Sequence, residues 1–122
     1  MKNYFSDENI IFLEDQDFNN NMEFKYNLNN KPMLVMVMGS FCGYCKQVAP
    51  IFSQFAKEVP DVVTAVIMID GDAPEKKLSQ RLSKVDSKIE GVPTFMLFDS
   101  NGKYSKTHKG GRTIKDLKLF SK

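Results

Sequence analysis

The chain is 122 residues long, carries a formal net charge of +2 and contains 10 Phe, 7 Met and only two cysteines. That length fits one domain with a real core, residues 1–122, and the mixing of acidic and basic residues along the chain excludes a face given over to nucleic acid. The opening "MKNYFSDENI" has no apolar segment behind its Lys, and no later apolar run reaches the length of a membrane span, so a cytoplasmic protein without a membrane partner is expected.

Residues 9–15, "NIIFLED", carry a short apolar strand signal, and the Asn-rich segment after them predicts a short helix over residues 18–24. Residues 31–39, "KPMLVMVMG", form an unbroken apolar run that suits a strand buried on both faces. Val48, Ile51, Phe52, Phe55 and Val59 then recur at helical spacing. They predict a helix that begins at Cys42, holds Cys45 in its first turn, is kinked by Pro50 and is over by Pro60. Residues 61–70, "DVVTAVIMID", read as another buried strand, and Leu78, Leu82 and Val85 as a helix with Pro74 at its first position. "TFMLFD", residues 94–99, is a further strand. Asn101-Gly102 then turns the chain into a more polar edge strand over residues 103–109. Thr113 and Asp116 have capping-box spacing and open a last helix that turns Ile114, Leu117 and Phe120 inward. The order β-α-β-α-β-α-β-β-α, with early crossovers and a late hairpin, predicts an α/β fold with a mixed central sheet covered by helices on both faces.

Both cysteines fall in "SFCGYCKQVAPIF", residues 40–52. A permanent staple there has little to gain, because a loop of about four residues removes little unfolded-state entropy compared with the ~3 kcal/mol of a 15-residue loop. A structural zinc needs four ligands, whereas the chain offers two Cys and one His, so no metal is expected. His108 is placed on the late strand near Gly110, without a catalytic role. In a reducing compartment a C-x-x-C near a βαβ pattern reads first as a redox pair.

"FCGYCK" after a buried strand and before a helix containing Pro, then "GVPTFMLF", a hairpin and "KGGR" before a last helix, resemble the thioredoxin superfamily from residue 10 to 122. The resemblance implies the thioredoxin fold, three layers α/β/α, and a thiol-disulfide oxidoreductase acting on protein disulfides without a cofactor. A sulfur at a helix start meets unpaired N–H groups and the positive end of the helix dipole, which favour thiolate, so Cys42 is the expected nucleophile. Cys45, one turn on, is expected to resolve the mixed disulfide. The resemblance also implies a cis bond between Val92 and Pro93, with Val92 backbone pairing to extended substrate. Gly110 would let substrate backbone approach, and Arg112 would move toward the resolving cysteine, as in protein disulfide isomerase domains. A solvated surface arginine is the alternative for Arg112, and Gly111 reads as a turn glycine. Phe41 and Tyr44 complete an apolar substrate surface.

Three features depart from the family: Phe41 replaces the usual Trp, Gly43-Tyr44 stands between the cysteines in place of Gly-Pro, and Met36 and Val66 occupy the positions of a buried acid-lysine proton relay. A monomer is expected, with protein disulfide substrates and an unidentified recycling reductase or dithiol donor as partners. The alternatives are a non-catalytic binding module, an isomerase- or oxidase-like enzyme, and a glutaredoxin-like enzyme. The lack of a targeting or retention signal favours reduction.

Overall fold

The computed structural model describes residues 9–87, 91–108 and 110–122. Five strands, β1 (Ile11–Phe12), β2 (Met33–Met38), β3 (Val63–Met68), β4 (Thr94–Phe98) and β5 (Tyr104–Thr107), form one sheet in the order β1-β3-β2-β4-β5. β1 and β2 run parallel to β3, β4 runs antiparallel to β2, and β5 returns antiparallel to β4. The sheet is therefore mixed, as the late hairpin requires. Gly102, with φ of +82°, makes the turn into β5 in a conformation that a Cβ disfavours.

The unbroken apolar runs of β2, β3 and β4 are explained by packing on both faces. One set of their side chains, Leu34, Met36, Met38, Val66, Met68, Phe95 and Leu97, lies against helices α1 (Gly43–Glu58) and α3 (Ile114–Phe120). The alternate set, Met33, Val35, Val37, Ala65, Ile67, Met96 and Phe98, lies against α2 (Ala73–Gln80) and the loop that carries Leu13, Phe18, Met22 and Leu28. Period-two alternation sends successive residues to opposite layers, so a strand between two helical layers is apolar almost throughout, with Thr64 the buried polar residue of β3. α1 and α3 are tied at their ends by Lys118 Nζ and Glu58 Oε1, 2.7 Å apart.

Four local expectations are corrected. No helix forms over residues 18–24: a 3-10 turn at Asp15–Asp17 leads into an isolated antiparallel bridge between Phe18 and Phe24. There the Asn19 side chain accepts the backbone N–H groups of Asn21 and Glu23, Arg81 donates to the carbonyl of Asn19, and Met22 has φ of 59°. These bonds draw on the backbone groups that a helix would have paired internally. α2 opens at Ala73, with Pro74 second, and Glu75 Oε1 accepts the amide of Asp72 at 2.8 Å. α2 ends at Gln80, and Leu82 reaches the core from a separate 3-10 turn, Leu82–Lys84. Finally, β1 and β5 are shorter than expected, and the predicted end of β5 at Lys109 lies outside the described residues.

Candidate functional site

β2 and β3 end at the edge of the sheet where β4 begins and β5 ends. Val37 pairs with Thr94 and Met38 with Met68, so the chain leaving β2 toward Cys42 meets the head of β4, where Pro93 sits, and the segment that follows β5. The Cys42–Cys45 segment and the Val92–Pro93 bond therefore lie at the same edge.

Cys42 is the N-cap of α1, with extended backbone (φ −83°, ψ 109°). Its Sγ accepts the Cys45 N–H at 3.1 Å, taking the place of the hydroxyl or carboxylate oxygen that usually caps a helix. The helix start is thereby satisfied by sulfur, the feature that favours a thiolate when the pair is reduced. The cysteines are joined as a disulfide, with Cα atoms 5.2 Å apart. They differ in access: Cys42 retains 7% exposure and Cys45 none. Cys45 is packed in the cluster that holds Met36, Val66, Phe52 and Phe95, and β2, β3 and β4 contribute no ionisable side chain to it.

The neighbours expected at a substrate face occupy distinct places. Phe41 is 69% exposed and Tyr44 66%, so two large rings flank the disulfide in solvent. The Val92–Pro93 peptide bond is cis, the geometry implied by the resemblance. Val92 is half-buried and Pro93 buried. Gly110 and Arg112 lie exposed on the loop between β5 and α3. Gly111 does more than turn the chain, since a Cβ there would run into the Asp116 carboxylate. That carboxylate accepts the Thr113 N–H at 3.1 Å, while Thr113 Oγ1 accepts the Asp116 N–H at 3.1 Å; both bonds of the predicted capping box are present.

One pair of site residues escapes sequence reasoning. The Ser40 N–H donates to Asp70 Oδ1 at 2.9 Å, and the Ser40 hydroxyl donates to Oδ2 of the same carboxylate. The hydroxyl and the amide of Ser40 hold the Asp70 carboxyl below its ordinary value, and this clips the segment entering the cysteine pair to the end of β3. Nothing in the order of residues joins two positions 30 apart; only the β2–β3 register does. Among the described residues no group of three or more His, Cys, Asp or Glu could hold a metal ion.

The thioredoxin family pattern matches residues 9–122. The chain belongs to the thioredoxin family. It is similar to protein disulfide-isomerase erp38 of Neurospora crassa, 31% identical over 94 residues that cover 75% of this chain and 24% of that one. Thioredoxin-like protein 453L of Invertebrate iridescent virus 6 is 25% identical over 122 residues and matched across 88% of both chains. Chlamydomonas reinhardtii thioredoxin f2 superposes with a TM-score of 0.67 at 21% identity, covering 91% of this chain and 92% of that one, a likeness of fold. Against the isomerases the thioredoxin-family chain spans at most about a quarter of their length, 24% of erp38 and 17% of the Aspergillus oryzae protein disulfide-isomerase.

Proposed function

We propose that this chain is a thiol-disulfide oxidoreductase for protein substrates. The observation that carries the reading is the asymmetry of the pair: Cys42 caps the helix and reaches solvent, whereas Cys45 is sealed behind it. In the reduced protein the Cys42 thiolate attacks a substrate disulfide, and one substrate sulfur leaves and takes a proton from water. Cys45 then loses its proton and attacks the Cys42 sulfur, so that the second substrate sulfur leaves as a thiol. Two electrons pass from the protein to the substrate, and the Cys42–Cys45 disulfide closes. Phe41, Tyr44, Val92, Pro93 and Gly110 supply the apolar ledge against which an extended, partly unfolded segment lies. Recycling falls to an external dithiol donor.

Insulin reduction tests the mechanism, because Cys42→Ser is expected to abolish turnover; a variant as fast as the native protein overturns it. Equilibration with a glutathione buffer sets the direction. The expected potential lies between thioredoxin's about −270 mV and protein disulfide isomerase's about −180 mV, and a value above the latter rejects a reductase.

The uncharged pair Met36 and Val66 favours a second reading, a binding module that keeps the fold for docking. Thiol titration of the reduced protein separates the two. One fast cysteine supports the enzyme, and two slow ones support the module.

A further inference from the structure

The chain's single histidine lies at the end of β5, where its backbone N–H donates to the Phe95 carbonyl at 2.8 Å and extends the β4–β5 ladder. Its ring has three further attachments. The centroid is 4.7 Å from that of Phe120 on α3 and 6.5 Å from that of Phe95, edge-on, and Nε2 is 2.5 Å from the Gly111 carbonyl oxygen. A carbonyl only accepts, so Nε2 carries the hydrogen and donates it. A Cβ at Gly110 would come within 3.0 Å of the ring, so the ring also lies directly against that residue.

The bond holds the loop that a substrate would meet. The His108 N–H bonds to the Phe95 carbonyl, and Phe95 is two residues after Pro93, so the end of β5 brings His108 to the part of the sheet that follows the cis-proline. The ring, wedged between Phe120 and Phe95, is fixed by the cluster that also seals Cys45. A glycine pair has little conformational preference of its own, and one side-chain donor that pins its carbonyl removes much of that freedom before substrate arrives.

We propose that His108 is a positioning residue for protein substrates: by donating from Nε2 to the Gly111 carbonyl it orders the Gly110–Gly111 backbone that follows β5. The inference rests on the proposed function, since it concerns how that site receives an extended chain. It needs no contact between His108 and the reacting sulfurs.

Two variants and one native-state measurement test it. His108→Phe keeps the ring packing and removes the donor; His108→Gln keeps an N–H donor. For insulin reduction, His108→Phe is expected to raise KM about three- to tenfold, the size of one lost hydrogen bond, with kcat within about twofold. Reaction with the small disulfide DTNB should stay at the native rate, and His108→Gln should recover most of the lost KM. An unchanged KM in His108→Phe, or a parallel fall in the protein and small-disulfide reactions of the folded variant, overturns the proposal. So does equal impairment in His108→Gln. Nitrogen NMR of the native imidazole at pH 8 gives an answer that needs no variant: a proton on Nε2 is expected, and a bare Nε2 overturns the proposal. A native protein inactive toward insulin and DTNB would reject the proposed function while leaving the tautomer as found.

Discussion

Ser40 and Asp70 close a two-point clasp, amide to Oδ1 and hydroxyl to Oδ2, between the residue that precedes the Phe41–Cys42 step and the end of β3. Because Ser40 holds the Asp70 carboxyl below its ordinary value, the clasp stabilises the fold above the unfolded carboxylate value of about 3.9 and loses that contribution as pH falls through the lower folded value. Ser40→Ala removes the hydroxyl and is expected to cost about 1 kcal/mol at pH 7. Urea midpoints of native and variant protein should differ at pH 7 and converge toward pH 3. An equal gap at both pH values would contradict this account.

The resolving step makes a second prediction. With Cys45→Ser, Cys42 has no neighbour to release it, so covalent complexes with several client proteins should survive on non-reducing gels and disappear with dithiothreitol. Recovery of glutathione adducts alone would point to a glutaredoxin-like activity. If a partner co-purified equally with the Cys42→Ser, Cys45→Ser double variant and no covalent species formed, the binding-module reading would stand instead.

β2, β3 and β4 give the cluster around Cys45 no ionisable side chain. Tyr44 and Lys46, its neighbours on α1, are exposed, and Met36, Val66 and Phe95 belong to the buried cluster that holds it. Cys45 is fully buried, and it resolves a mixed disulfide as the thiolate, so its proton must leave before the second step. In stopped-flow reaction with DTNB, the second release of thionitrobenzoate is expected to accelerate as pH rises from 6 to 8, because the thiolate is the attacking form. A second phase indifferent to pH in that range would contradict this account. Met36→Asp, which places a lone carboxylate in that cluster, should cost about 3–5 kcal/mol of stability by urea denaturation.

Two aromatic residues of α1 separate packing from recognition. Phe52 is fully buried, 5.8 Å from the Phe95 ring, and Phe52→Ala is expected to destabilise by about 3–5 kcal/mol. Tyr44 is exposed, and Tyr44→Ala should shift the unfolding midpoint by less than about 0.5 kcal/mol while raising KM for insulin. If Tyr44→Ala left KM unchanged, the ring would be no part of the substrate ledge.

The central layer was legible in the residue order because β2, β3 and β4 are each buried on two faces, which leaves runs of apolar and β-branched residues without the polar alternation of a surface strand. The site was legible for a related reason. A cysteine that caps a helix and another one turn on are local in sequence, as are the Asn101-Gly102 turn and the Thr113–Asp116 box, so their geometry follows from spacing alone. Phe18 and Met22, by contrast, have the i, i+4 spacing of a helix, yet both are buried from an irregular loop, because Asn19 and Arg81 capture the backbone groups that a helix would need.

The residue pattern by itself therefore determined the strand core, the cysteine-capped helix and the membership of the fold, all set by hydrophobic period or by bonds that close within one turn. Tertiary structure alone decided the Ser40–Asp70 clasp, the Arg81 hold on the first loop and the His108 bond to Gly111 as part of a ring stack with Phe120. The first two join residues far apart in the chain, and the third, though it spans three residues, is held by Phe95 and Phe120 packed on the same ring. The energy of such a contact belongs to the packed pair, and neither partner carries a mark of it in its own sequence neighbourhood.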